Sequence, residues 1–273
     1  MVAIENKIPI FRRGNILDKE VLDNMRETPY EYYSLSYDKY SDGVICGIET
    51  YTENEILYIT PGVIKYNNFY YKIKEKLKIE IPVEDGDYIL KIKFLPPAEV
   101  EKGKYEKYSM KIQFMSNYKC QNNEMELVRI KRREGAEIRN PSIFTGIDKE
   151  YNIVNEIYKP ASTSSGSSFS KKLLKMYAER VFDEKEMESL DEVFCSMVLN
   201  DSVSRDLLNS YIKRKIREEC SQADNQKIYE YLREIYNNMK NSRFIKNNNI
   251  KKKNLMMVEW WNEKFVWDTW SKC

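Results

Sequence analysis

Ser41-Asp42-Gly43-Val44-Ile45-Cys46-Gly47 and Ile59-Thr60-Pro61-Gly62-Val63-Ile64, followed by the aromatic run Phe69-Tyr70-Tyr71, decide the fold of this chain. Asp-Gly and Pro-Gly make turns because Gly accepts φ > 0 and Pro fixes φ. The flanking Val, Ile and Tyr favour a pleated, half-buried surface. The stretch therefore predicts a compact β-meander whose structural turns rest on Asp42, Gly43, Gly47, Pro61 and Gly62, with Gly62 expected to need φ > 0.

Outward from it, strands are predicted at about 44–52, 56–66, 69–81, 87–95, 107–116 and 125–133. Turn signals at Glu53-Asn54, Asn67-Asn68, Asp85-Gly86, Pro96-Pro97 and Asn122-Asn123 separate them. Tyr88 to Phe94 alternates in hydrophobicity, so one sheet face is buried and the other solvated. Short local connections predict antiparallel pairing. Upstream, Asp18 caps a first short helix carrying Val21, Leu22 and Met25. Thr28-Pro29-Tyr30-Glu31 reads as a capping box that opens a second. Residues 1–13 read either as an extended arm for a neighbour or as a tail.

All nine glycines and all eight prolines fall at or before Gly166, which predicts that the remainder is helical. Leu173, Leu174, Tyr177 and Val181 form a stripe with Ser170 as cap. Met187, Leu190, Phe194, Met197 and Val198 form the next, then Leu207, Leu208, Tyr211 and Ile212, then Ile228, Tyr231, Leu232, Ile235 and Met239. Four such helices bury their stripes as a small bundle, although heptad-like spacing also suits self-association. Ala161-Ser162-Thr163-Ser164-Ser165-Gly166-Ser167-Ser168 has the composition of a flexible linker. The expected organisation is helix-plus-β assembly modules over 1–135, an irregular segment with a Ser-rich linker over 136–169, and a helical domain over 170–273. The class is α+β: an antiparallel, β-rich N-terminal part with short leading helices, then an all-α C-terminal domain.

The formal charge is only +2, which fits a solvated surface and does not mark the whole chain as a nucleic-acid binder. Five widely spaced cysteines without a Cys-x-x-Cys pair suit reduced thiols, not a disulfide framework or zinc site. There is no signal-peptide pattern and no run of ~18 apolar residues, so a cytoplasmic, soluble chain with no membrane partner is expected. The absence of histidine removes His-based nucleophile activation and His-ligated metals. No phosphate-binding glycine loop is present. The expectation is a non-enzyme with no catalytic residue, metal or cofactor.

Asp42, Gly43 and Gly47, then Leu57, Ile59, Pro61 and Gly62, then Tyr70 and Tyr71, resemble the N-terminal module of baseplate and tail-fibre proteins from phages and phage-tail-like particles of clostridial-type Gram-positive bacteria. The matching stretch runs from Asn15 to about Pro82, with Asn67-Asn68 in place of the usual Asn-Gly turn. Asn also tolerates the left-handed conformation. The resemblance implies a structural adaptor of a phage tail or bacteriocin baseplate that joins it to a fibre or receptor-binding protein. Its partners would be other baseplate or tail proteins and possible further copies of itself. It would assemble in the bacterial host cytoplasm and end as part of the particle.

Two further signals concern partners. Trp260, Trp261, Trp267 and Trp270, with Phe265 among them, crowd the last fourteen residues and read either as the last helix of the bundle core or as a partner-binding anchor. Lys240 to Lys253 holds six basic residues and no acidic one. It reads as a solvated loop, with a nucleic-acid-binding accessory role as the alternative. Arg129-Ile130-Lys131-Arg132-Arg133 reads as a charged sheet edge that discourages pairing. A second alternative is a cell-wall-acting enzyme that uses two carboxylates about 5 to 10 Å apart in a cleft.

Overall fold

The computed structural model describes residues 11–14, 16, 18–102, 104–116, 119–184, 187–200, 203–218 and 220–241. Helix α1 (Lys19–Tyr37) leads into β1 (Gly43–Gly47), β2 (Thr50–Glu53), β3 (Ile56–Ile59), β4 (Gly62–Tyr66), β5 (Phe69–Ile73) and β6 (Leu77–Glu80). The longer β7 (Gly86–Val100), β8 (Tyr105–Met115) and β9 (Glu124–Arg132) follow. Helices α2 (Lys171–Phe182), α3 (Ser189–Leu199) and α4 (Arg205–Ile216) come next, with a further helix, α5, described over residues 225–241. The class is α+β, and every strand pairing within the three sheets is antiparallel.

Three of the expected strands are each broken once, at the same level. Breaks at Ile48-Glu49, Thr60-Pro61 and residues 74–76 divide one meander into two arms, ordered β1-β4-β5 and β2-β3-β6. Ile48 takes φ +54 at the bend, and Pro61 brings no N–H to a ladder there. The bend is held by Thr60 N donating to Glu49 O at 3.0 Å and by Glu49 N donating to Thr60 Oγ1 at 2.9 Å. The Asn67-Asn68 turn is as expected, with φ +48 and +59, the values of a tight hairpin.

Gly62 departs from its expectation, for its φ is not positive. A Cβ there would overlap Cys46 O and lie 2.6 Å from Ile48 N, so close backbone approach is the reason for glycine. Pro96-Pro97 does not end a strand either. Both lie inside β7, where the register with β8 slips between Leu95 and Ala98 and the missing N–H groups are absorbed in a bulge.

The leading region is one 19-residue helix and not two, with Pro29 inside it. Asp18 caps it as expected, accepting from Val21 N at 2.9 Å. Thr28 opens no second helix, because its hydroxyl donates back to Asn24 Oδ1 at 3.1 Å. Lys65, only 2% exposed, fixes the other end by donating to Tyr37 O, Asp38 O and Tyr40 O at 2.7, 3.0 and 2.8 Å. A buried ammonium with three donors thus meets the carbonyls at the negative end of the helix.

Two apolar clusters form. One joins the meander to the β8-β7-β9 sheet through Ile48, Leu57, Ile64, Leu90, Ile92 and Leu127. The other gathers Leu173, Tyr177, Phe194, Leu208, Ile212 and Leu232 from the helices. The stripes of α2, α3, α4 and α5 meet there, except that Met197 of the predicted α3 stripe is exposed, and Ser170 caps α2 by accepting from Leu173 N.

The Ser-rich stretch is not a flexible linker. Ser162, Ser168 and Ser170 are buried, and the chain from Ile138 to Phe169 places Ile138 and Val154 in the β cluster but Phe144, Ile147, Ile157 and Phe169 in the helical one. Along its course it closes sheet edges. Asn140 Oδ1 accepts from Thr52 N and its Nδ2 donates to Thr52 O, at 2.9 and 3.0 Å, on the outer side of β2. Asn155 exchanges both backbone bonds with Arg129, and Asn152 N donates to Lys131 O, on the outer side of β9. Val44 of β1 donates to Pro160 O and accepts from Ser162 N. An edge strand offers a row of unpaired N–H and C=O groups, and this strap satisfies such groups on three edge strands. The β9 edge read as a charged deterrent is accordingly covered.

Candidate functional site

The strap and the start of α2 converge on one carboxylate. Glu156 is 1% exposed and both of its oxygens are engaged. Oε1 accepts from the Thr50 hydroxyl and from Lys172 Nζ at 3.2 Å, while Oε2 accepts from Lys159 Nζ at 3.1 Å and Ser170 Oγ at 3.4 Å. Burial alone would push this carboxyl up, but Lys159, Lys172 and the Thr50 bond outweigh it and hold it below the ordinary carboxylate range.

The lysines explain why such a charge is tolerated. Where the meander bends, carbonyls lose their ladder partners. Lys159 donates to Ile48 O, Lys172 to Thr50 O at 2.6 Å and Lys171 to Ile45 O at 3.2 Å. Glu156 neutralises two of these cations in turn. One network therefore satisfies the bend of the sheet, the strap and the N-terminus of α2 together.

Beside it lies a cleft of about 320 Å³ whose lining includes Cys46, Gly47, Glu49, Lys171, Lys175 and Glu179. Three carboxylates reach this region when Glu156 is included, which is the place where a carboxylate-pair mechanism would be sought. Glu156, however, has its acceptor positions filled by four protein donors, an arrangement suited to holding structure.

A second junction joins β9 to α5. Arg129 grips Glu126 with two bonds, Nε to Oε1 at 2.6 Å and a terminal nitrogen to Oε2 at 3.0 Å, and lies 3.4 Å over the Tyr158 ring. Tyr158 donates to Gln226 Oε1 at 3.2 Å. Arg233 meets both Asp148 oxygens at 3.0 and 3.1 Å, and Tyr229 donates to Phe144 O while accepting from Ile147 N. Inside the bundle, Tyr177 and Tyr211 share a 2.7 Å bond, Tyr211 donates to Asp191 Oδ1 at 2.8 Å and Lys215 closes the chain on Oδ2 at 3.0 Å. Burial, with Asp191 nearby, pushes the Cys195 thiol up to about 12, so it stays protonated.

The predicted turn residues fall in two places, Gly47, Pro61 and Gly62 at the bend and Asp42 and Gly43 at the other end of β1. Gly47 and Gly62 are register partners, Asp42 Oδ1 accepts from Asn67 N at 3.0 Å, and Gly43 abuts the strap, where a Cβ would come 2.9 Å from Ser162 N. Trp260, Trp261, Phe265, Trp267 and Trp270 lie outside the described residues, as does the basic run beyond Asn241. Sequence reasoning missed Glu156, Lys159, Lys172 and the edge-closing Asn140, Asn152 and Asn155. The signal available was the pair of apolar steps Ile153-Val154 and Ile157-Tyr158 around Glu156, which suits a buried course within the irregular segment.

Among the described residues no group of three or more acidic or cysteine side chains is placed to hold a metal ion, and no helix is long and apolar enough to cross a membrane. No protein-family model matches the chain, and no curated protein is significantly similar to it in sequence. Among solved structures, a crystal structure of TssK is similar over 84% of this chain and 69% of its own, at 8% identity and a TM-score of 0.34. A likeness of that size carries no functional assignment.

Proposed function

We propose that the chain is a structural, non-catalytic adaptor of a phage-type tail or bacteriocin baseplate, joining the baseplate to a fibre or receptor-binding protein. The carrying observation is the weld at Glu156, which joins Thr50 of the bent β-meander to Lys172 and Ser170 at the start of α2. The resemblance over Asn15 to Pro82 supports the same reading, since Gly47 and Gly62 pack at the bend and Gly43 packs against the strap. In this proposal the β-rich part docks on one tail component and the helical end, with the Trp-rich segment, holds another. Assembly takes place in the host cytoplasm and the chain ends in the particle.

The test is negative-stain imaging of particles from a strain lacking this chain. Baseplates without fibres are expected. Complete, fibre-bearing baseplates would overturn the proposal.

A further inference from the structure

Helix α1 buries none of its 19 residues and meets the body through its C-terminal half. Its C-terminal end is fixed by Lys65, and Tyr30 and Tyr37 pack on the Tyr70 ring with centroids 6.2 and 6.3 Å away. Tyr30, Ser34 and Tyr37 are spaced four and three residues apart, so they mark the side that faces the body.

The other side carries Leu22, Met25, Pro29, Tyr32 and Ser36, at alternating intervals of three and four. That is the a/d spacing of a helix seam, and Leu35 and Tyr33 flank it. Leu22, Met25, Tyr32, Tyr33 and Leu35 are all exposed, Leu35 at 78% and Tyr32 at 68%. An exposed apolar side of this kind has the character of an interaction surface.

We infer that the partner is a second copy of this chain, docking its own α1 seam to seam. Glu20, Asp23, Glu27 and Glu31 all lie off the stripe, so two identical seams meet without like charges between them. Arg26, at the border, is already neutralised by Asp23 and Glu27 of its own chain. The five side chains expose on the order of 600 Å² per copy, so a pair that covered them completely would remove up to about 1,200 Å² from water, the lower end of the range for specific interfaces. The seam is uncharged along its length, and an isologous pairing uses the same patch on both copies. The inference concerns the isolated chain and holds whether or not it serves a tail particle.

Sedimentation velocity of the full chain over a hundredfold concentration range tests it, with the Leu22→Glu, Tyr32→Glu double variant alongside. The expected result is a concentration-dependent dimer or higher oligomer whose dissociation constant rises by on the order of 30-fold or more in the variant, at unchanged circular dichroism. Because no α1 residue is buried, the variant keeps its core; Met25→Arg alone provides an independent reading should the double variant lose helical signal. A wild-type chain that stays monomeric throughout overturns the inference. So does an oligomer that survives both variants, or one that is lost only when Trp260 and Trp261 are replaced.

Discussion

Helix α1 and the strap over residues 138–170 invert each other. The helix carries Leu22, Met25, Tyr32, Tyr33 and Leu35 and leaves them in solvent, whereas the strap carries Glu156, Lys159, Ser162, Ser168 and Ser170 and buries them all. Side-chain polarity alone would place them the other way. What decides is the backbone. A bent meander leaves carbonyls and sheet edges without partners, and a chain rich in short polar side chains is suited to satisfying them. The helix satisfies its own backbone and so is free to keep an apolar seam outside.

The strongest way to break this comparison is at the centre of the weld. Glu156→Gln leaves Lys159 and Lys172 without their counter-charge, and removing one partner of a buried ion network costs about 3 to 5 kcal/mol. Urea unfolding of the full chain should show a loss of that order. A loss below about 1 kcal/mol would mean that the network is a surface feature, as weak as exposed pairs are. The pH dependence has a definite sign. The folded carboxyl is held below its ordinary value, so its contribution is complete above the unfolded value of about 4.3 and is lost as pH falls through the folded one. The gap between wild type and Glu156→Gln should therefore be largest near neutrality and close in acid.

Next in size is the bend. Gly47, at φ +64, faces Pro61 O, and Gly62 faces Cys46 O, so an added Cβ meets backbone that cannot swing away. Gly47→Ala and Gly62→Ala should each cost about 2 to 4 kcal/mol. Gly166→Ala, at φ +101 in open space within the Ser-rich stretch, should cost only about 1 kcal/mol. Equal melting temperatures for the Gly62 and Gly166 variants would remove close approach as the cause.

Smaller again is the edge closure. Asn152, at φ +53, donates to Arg133 O and Ala136 O at 2.7 and 3.1 Å and accepts from Arg133 N at 2.8 Å. Asn152→Ala should cost about 1 to 3 kcal/mol. Hydrogen exchange should quicken along β9 ahead of β7, because β7 keeps partners on both sides. Uniform quickening would show that the strap contributes to global stability without guarding the edge.

Much of the fold was legible in the sequence because it rests on local rules. Asn67-Asn68 fixes its hairpin, Asp18 and Ser170 cap their helices, and the stripe of Leu173, Leu174, Tyr177 and Val181 finds its core. What was not legible depends on partners distant in the chain. Thr50 meets Glu156 across 106 positions and Thr52 meets Asn140 across 88, and neither pairing leaves a periodic trace. Ser-rich composition is ambiguous for the same reason, since a hydroxyl serves water and an orphaned carbonyl equally well. The bend at Ile48 escaped notice because Val44 to Thr52 reads as one strand until its neighbours break at the same level.

The smallest expected effect is on α1, and it sharpens the comparison by being small. Leu35→Ser and Tyr33→Ser remove apolar surface that is already in solvent in the monomer, so neither leaves a cavity nor an unpaired polar group. Under dilute conditions the melting temperature should move no more than a change of about ±0.5 kcal/mol allows. At high concentration the same variants should melt below wild type, because a partner that binds only the folded state raises stability by mass action, and these substitutions weaken that partner. A large loss under dilute conditions would show that α1 packs against its own body and would end its contrast with the strap. A concentration-independent difference would leave the exposed seam without its second copy.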